Sequence, residues 1–334
     1  MVNTNNYLLK VDGLRTYFPI KKGLLRRTAG YVKAVDGVSF GIEKGQTLGL
    51  VGESSCGKTT VARSIVRLVP ATAGKVLFEQ RDILSADKVE LRRLRSQISL
   101  IFQDPYGSLN PRMTIGNIVG EPLKVHKRVT GSELTERVMV LLLKVGLSPD
   151  YMNRYAHEFS GGQRQRIGIA RALTLKPKLI ICDEPVSALD VSIQSQILNL
   201  LKDLQEEFGL TFLFIAHDLA VVEFFCNIVA VMYMGRIVEQ ATAQELYRNP
   251  LHPYTRALIS AVPEVERPRQ SRRTTLGGEV PSVLNRSPQS GVPPTGCPYQ
   301  ARCPRRQSDC LEQIPALKRG GNTSDEHFVA CWRY

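Results

Sequence analysis

Gly52-Glu-Ser-Ser-Cys-Gly-Lys-Thr-Thr60 decides how the rest of the chain is read. Gly52, Gly57, Lys58 and Thr59 satisfy G-x-x-x-x-G-K-[ST]. Before the loop, Gln46 to Val51 is a short apolar run of strand composition. After it, Val61 to Val69 carries apolar residues at 61, 65, 66 and 69, at helical spacing. Strand, glycine turn and helix form the context this motif requires. Its small residues let backbone N–H groups turn inward at a helix N-terminus, which makes a nest for an anion. Lys58 is expected to reach the β- and γ-phosphates of a nucleotide, and the Thr59 hydroxyl to ligate Mg²⁺. Glu53, Ser54, Ser55, Cys56 and Thr60 complete the loop around the same ligand.

The 334 residues leave room for one large domain with an appendage, or for two domains. A hydrophobic content of 43% with 22% charged residues fits an ordinary globular chain. No run approaches the roughly 18 uninterrupted apolar residues of a membrane span. Met1 to Asn6 lacks the basic start and apolar stretch of a signal peptide, so a cytosolic location is expected. The formal charge of +13 invites an anionic partner. The basic residues are dispersed, without a long basic block or an array of stacking aromatics, so nucleic acid is not an expected partner. A surface working near anionic lipid is the simpler reading.

In chain order, Tyr7 to Val11 and Val38 to Ile42 read as strands, and Lys21 to Gly30 as a basic, glycine-bounded loop. Phe18, or else Tyr17 or Tyr31, is placed to stack on an adenine ring; an ordinary buried aromatic is an equal alternative. The apolar strand from Gln97 to Phe102 ends on Gln103, which can ligate Mg²⁺ or position an attacking water. Thr130 to Glu133 has the pattern of a capping box opening a helix, and residues 104–172 read as a mainly helical insertion between strands. Ser160, Gly161 and Gly162 precede a second clear helix, so N–H groups and a hydroxyl again face outward at a helix start. Lys178 to Glu184 is a buried strand ending in two carboxylates. Asp183 suits Mg²⁺, and Glu184 suits polarising a water. Such a pair is ordinarily a helix cap or a solvated turn; standing after a phosphate loop, it points to catalysis. Ser187 to Asp190 then leads into a helix from Ser192 to Phe208, stopped by Gly209. Thr211 to Ile215 is a further strand with His217 at its end. Ile228 to Tyr233 closes the sheet, with a turn at Gly235.

From about Pro250 the composition shifts to Pro, Arg, Ser and Gly, which predicts a small C-terminal domain or arm over 250–334. Four of the seven cysteines lie there, Cys297, Cys303, Cys310 and Cys331, spaced C-x5-C-x6-C-x20-C. In a cytosolic chain clustered cysteines favour metal over disulfide. The spacing lacks the C-x-x-C knuckles of structural zinc, and four thiolates without them suit an iron–sulfur cluster; zinc and free thiols remain alternatives. Cys56 sits in the phosphate loop, and Cys182 and Cys226, in apolar stretches, read as small buried residues.

Taken together, these segments resemble the nucleotide-binding subunit of an ABC transporter. Phe102 to Arg112, Asp183 to Ser192 and Asn249 to Leu258 sharpen the resemblance to ATPases of the oligopeptide/dipeptide importer family. Phe159 stands where leucine is commoner, Ser55 where the family has glycine, and Thr59-Thr60 where it has Ser-Thr. The resemblance implies an α/β, ABC-type P-loop NTPase core over 1–249 with a helical subdomain at about 104–172, and an extension over 250–334. It implies that two homologous ATPases pair head to tail, with ATP between the phosphate loop of one and the signature of the other. Ser160, Gly161, Gly162, Gln163 and Asp190 would then serve the partner's nucleotide. Thr59, Gln103 and Asp183 would surround Mg²⁺, Glu184 would take a proton from the attacking water, and His217 would stabilise the γ-phosphate. A [4Fe–4S] cluster on the four tail cysteines is implied as well. So are two transmembrane permease subunits, an extracytoplasmic solute-binding protein and a peripheral place on the cytoplasmic face of the inner membrane. Importers of nickel, glutathione or another small solute, such as a sugar derivative, are same-family alternatives. ABC-type ATPases that act on nucleic acid carry long coiled coils or tandem cores, which this sequence lacks.

Overall fold

Twelve strands and the helices between them are set out in the computed structural model, which describes residues 6–23, 27–126, 129–261, 296–320 and 326–334. The strands are β1 (Tyr7–Lys22), β2 (Arg27–Glu43), β3 (Thr47–Val51), β4 (Ala73–Phe78), β5 (Arg81–Asp82), β6 (Ile98–Ile101), β7 (Leu179–Asp183), β8 (Thr211–Ala216), β9 (Ile228–Tyr233), β10 (Arg236–Thr242), β11 (Lys318–Arg319) and β12 (Phe328–Val329). The chain divides into two compact units. One is built chiefly from Ile42–Thr47 and Ser85–Ile215, the other from Leu8–Gly41, Leu48–Leu84 and the described part of Ala216–Tyr334.

In the first unit, β6, β7 and β8 lie side by side and parallel, in the registers Ile98↔Leu179 and Leu179↔Thr211. Every residue of β7 and of β8 is buried, as expected where helices cover both faces of a parallel sheet. The described residues of 104–172 are mainly helical, with the longest segments at Ile115–Val125, Gly131–Lys144 and Gly161–Leu173. The helix Val191–Phe208 buries Ile197, Leu198, Leu201 and Leu204, one face of a 3.6-residue period, and ends at Gly209 with φ +61°. The helix expected after Thr130 forms, but its capping box does not. Gly131 takes φ +66°, the Thr130 side chain makes no cap bond, and Glu133 pairs with Arg137 one turn on.

The second unit holds an antiparallel sheet in the order β2-β1-β4-β5 and a run of strands in the order β11-β12-β10-β9-β3, with β3 parallel to β9. Two expectations change here. Lys21 to Gly30 is not simply a loop: β1 runs to Lys22 and β2 starts at Arg27, because β-branched and aromatic side chains from Thr16 to Ile20 and from Thr28 to Val32 favour extended pairing. Residues 24–26 of that stretch lie outside the described residues. Nor does Ile228 to Tyr233 close the sheet. A two-residue turn, with φ +43° at Met234 and +82° at Gly235, pairs Tyr233 with Arg236 and sends β10 back along β9. β12 then adds to β10, and β11 to β12. The tail is thereby stitched into the unit that carries the phosphate loop. The Pro- and Ser-rich stretch 262–295 lies outside the described residues.

Candidate nucleotide-binding site

The phosphate loop belongs to the second unit. The fully buried β3 delivers the chain to it, and the helix Lys58–Ile65 follows. Gly57 caps this helix at φ +111°, and a Cβ there would lie 2.1 Å from the Ala34 carbonyl oxygen, so only glycine fits. The Lys58 side chain is buried, and its Nζ donates to the carbonyls of Gly52 (2.7 Å) and Glu53 (3.0 Å). A buried ammonium curled on loop carbonyls places positive charge at a helix N-terminus whose first turn has no acidic residue. Thr59 and Thr60 follow on that helix. Burial pushes the Cys56 thiol up, and neighbouring Lys58 only partly counters this, so Cys56 acts as packing.

Glu53 is held from two sides. Its N–H donates to the Tyr254 hydroxyl at 2.9 Å, and its carboxylate accepts both terminal nitrogens of Arg302, at 2.9 and 3.0 Å. Tyr254 comes from the Asn249-to-Leu258 stretch, whose composition now has a physical reason. The Glu239 carboxylate accepts the N–H groups of Leu251 (2.6 Å) and His252 (2.9 Å), and His252 Nδ1 accepts that of Tyr254 (3.0 Å). Burial lowers the His252 pKa to about 4, so the ring is neutral and can serve as that acceptor. Sequence reading gave no role to Arg302. Only its place beside Cys303 could have drawn attention to it.

Among the adenine candidates, Tyr17 is already engaged. Its hydroxyl donates to Asp36 at 2.5 Å, and Lys33 lies over its ring. Burial first, then this bond, pushes the Tyr17 hydroxyl up to about 12. Burial would raise the Asp36 carboxyl too, yet Tyr17 and Arg236 together hold it below its ordinary value. Phe18 keeps an apolar ring 42% exposed and Tyr31 one 53% exposed.

In the first unit the structure brings Gln103 and Glu184 together. Ile101 is in register with Cys182, so the residues two beyond each lie at adjacent strand ends, and Gln103 Nε2 donates to Glu184 Oε2 at 2.9 Å. Glu184 takes φ +49°, its N–H donates to the Ile215 carbonyl at 3.0 Å, and its own carbonyl accepts the Ser187 hydroxyl at 3.1 Å. These contacts hold a strained residue in place, as is common for a reacting group. Asp183, 1% exposed, precedes it at the end of β7. Asp190 precedes the helix Val191–Phe208 without capping it and is exposed. His217, directly after β8, is exposed and falls in the second unit.

The signature segment is a formed helix start. Ser160 and Gln163 make a reciprocal capping box, each side chain accepting the other's backbone N–H at 3.4 and 3.0 Å. Gly162 permits close approach of the following helix, since a Cβ would stand 2.6 Å from Ile193 Cγ2. Phe159 fits where leucine is commoner because it meets Tyr151 edge-on, with centroids 5.3 Å apart. Arg164 and Arg171, which sequence reading passed over, tie this helix to the segment after Gln103. The Arg164 guanidinium lies 3.7 Å over the Tyr106 ring and donates to the Ala156 and His157 carbonyls, while Arg171 donates to the Ser108 carbonyl.

The four tail cysteines share one neighbourhood. Burial chiefly pushes the Cys297 thiol up to about 11, with Cys310, Cys331 and Cys303 each adding to the rise, and the Cys303 and Cys331 thiols are raised as well. Yet among the described residues no three His, Cys, Asp or Glu side chains stand in an arrangement that holds a metal ion. The expected [4Fe–4S] cluster therefore finds donors of the right chemistry without a ligating geometry.

Comparison with known proteins places these features in a family. The ABC transporter family model matches residues 35–187, and that of the oligopeptide/dipeptide transporter C-terminal region matches residues 238–310. The oligopeptide transport ATP-binding protein AppF of Bacillus subtilis is 53% identical over 98% of this chain and 97% of its own length. The Escherichia coli oligopeptide transport ATP-binding protein OppF is 52% identical over 97% of this chain and 95% of its own. This chain belongs to the oligopeptide transport ATP-binding proteins of the ABC transporter family. Among solved structures, the dimeric ATP-binding cassette MJ0796 bound to ADP and Pi superposes with a TM-score of 0.63 at 28% identity, over 70% of this chain and 98% of that one. The mixed α/β cassette fold is thus shared, and the motifs of this member stand on that frame.

Proposed function

We propose that the chain is the ATP-binding and hydrolysing subunit that energises import of oligopeptides or dipeptides across the cytoplasmic membrane. The observation that carries this reading is 53% identity over 98% of the chain to an oligopeptide transport ATP-binding protein. The local geometry supports the chemistry. Lys58 and the helix N-terminus after Gly57 suit the β- and γ-phosphates, with Gly52, Glu53, Ser54, Ser55, Cys56 and Thr60 shaping the loop. Phe18 offers the adenine an exposed apolar face. Glu184, oriented by Gln103, accepts the proton of the attacking water, and His217 steadies the γ-phosphate. Magnesium, when bound, neutralises phosphate charge; Thr59, Gln103 and Asp183 are the residues to hold it.

Ser160 to Gln163 and Asp190 serve the nucleotide of a second, homologous ATPase in a head-to-tail pair. Two transmembrane permeases and an extracytoplasmic binding protein complete the importer. No described helix is long and apolar enough to cross a membrane. By likeness to the importer ATPases, we place the chain peripherally, on the cytoplasmic face, through those permeases. In this reading residues 1–249 are the ATPase domain, with the helical subdomain at about 104–172, and 250–334 the extension. A [4Fe–4S] cluster on Cys297, Cys303, Cys310 and Cys331 remains part of the proposal on donor chemistry alone. Iron and sulfide analysis after anaerobic purification tests it, and absence of both removes it.

Glu184→Gln tests the ATPase. ATP affinity should stay within about threefold of wild type while steady-state hydrolysis falls at least about 100-fold. Normal turnover in this variant would sink the assignment of Glu184.

A further inference from the structure

We infer that Arg302 is a positioning residue for the phosphate loop, so that the C-terminal tail sets nucleotide affinity. The inference rests on the reading of Gly52 to Thr60 as the ATP site. Three observations within one unit carry it. First, Arg302 grips Glu53 with two parallel bonds of 2.9 and 3.0 Å, the planar fork-to-fork geometry that fixes orientation as well as distance. The Arg302 side chain is 5% exposed and that of Glu53 17%, so this is not a solvated surface pair. Second, the tail packs where the loop is anchored. Tyr299 meets Tyr233 edge-on at 5.2 Å and packs on Tyr254 at a tilt, 5.5 Å away, and the Tyr254 hydroxyl accepts the Glu53 N–H. Third, the carbonyl of Glu53 accepts from Lys58 Nζ at 3.0 Å, so the residue held by the tail also sets the lysine.

The physical consequence is a stiffened loop. Glu53 is fixed at its N–H by Tyr254 and at its carboxylate by Arg302, which leaves its carbonyl aimed at Lys58. A carboxylate beside a phosphate site would repel the ligand if left uncompensated. The guanidinium neutralises it. Nucleotide binding is then relieved of part of the ordering that a free loop would need. Linkage makes the effect reciprocal: if the tail favours the nucleotide, the nucleotide must steady the tail by the same factor.

The test uses the full chain, with binding of a fluorescent ATP analogue, steady-state hydrolysis and thermal melting on each variant. Arg302→Ala should weaken nucleotide binding about tenfold, while kcat at saturating ATP stays within about twofold, a KM-against-kcat split. Arg302→Lys, which keeps the charge but loses the fork, should fall between the two, and it stands in if the alanine variant does not fold. The exchanged pair Glu53→Arg with Arg302→Glu should recover at least half of the lost binding free energy. In wild type, ATP should slow amide hydrogen exchange across residues 297–303, and this protection should vanish in Arg302→Ala and be reduced in Arg302→Lys. Variants that melt lower yet bind ATP as wild type does would show a merely structural tail and overturn the inference. So would absence of nucleotide-dependent protection in wild type. Should folded wild type bind no ATP at all, the reading of the phosphate loop fails first, an outcome distinct from failure of the strut.

Discussion

Ser55 sits at φ +65°, a conformation that glycine adopts freely and serine does not. The left-handed region costs a non-glycine residue roughly 1–2 kcal/mol, and replacing it by glycine returns about 0.4–1 kcal/mol of unfolded-state entropy against that gain. Ser55→Gly should therefore stabilise by at most about 1.6 kcal/mol and leave ATP affinity within about threefold. Calorimetry and nucleotide titration check both, and a large loss of binding would mean that the serine side chain contacts the ligand. His252 gives a pH dependence. Its pKa is about 4 folded against 6.5 unfolded, so between those values only the unfolded chain takes up the proton. Its contribution is fully present above pH 6.5 and is lost as pH falls toward 4, in all about 3 kcal/mol. His252→Asn keeps an acceptor for the Tyr254 N–H and should flatten the fall of melting temperature over that window. An unchanged slope would assign the acid sensitivity elsewhere.

The helix Gly161–Leu173 was legible as an element because apolar residues recur along it behind Ser160 and two glycines. Its purpose as a junction was not. Nothing in sequence spacing joins Arg164 to Tyr106, or Gly162 to Ile193, since both contacts depend on tertiary packing. Gly162→Ala should force Ile193 aside and destabilise by about 1–3 kcal/mol, measured by denaturant melting. A neutral result would show that the neighbouring helix yields freely. Arg164→Ala leaves the Ala156 and His157 carbonyls without their guanidinium donor and should cost about 2 kcal/mol. The strands ending at Asp183 and Ala216 were readable as continuous apolar runs. The extension of β1 and β2 into the expected loop was missed, because lysines and glycine outweighed the β-branched residues beside them.

At the scale of the molecule, the chemistry was more legible than the architecture. Local motifs named the phosphate loop, the strand-end carboxylates and the signature, since each is a short contiguous segment. The return of the tail through β12 to β10, and of Arg302 to Glu53, joins residues 88 and 249 positions apart, which no local pattern encodes. The account as a whole stands on ATP-driven peptide import. The most direct test is uptake of labelled peptides of graded length by cells lacking this chain, complemented with wild type or with Glu184→Gln. The account predicts that uptake is lost on deletion, restored by wild type and not restored by the variant. Undiminished uptake after deletion, with no related ATPase substituting, or full restoration by Glu184→Gln, would contradict it.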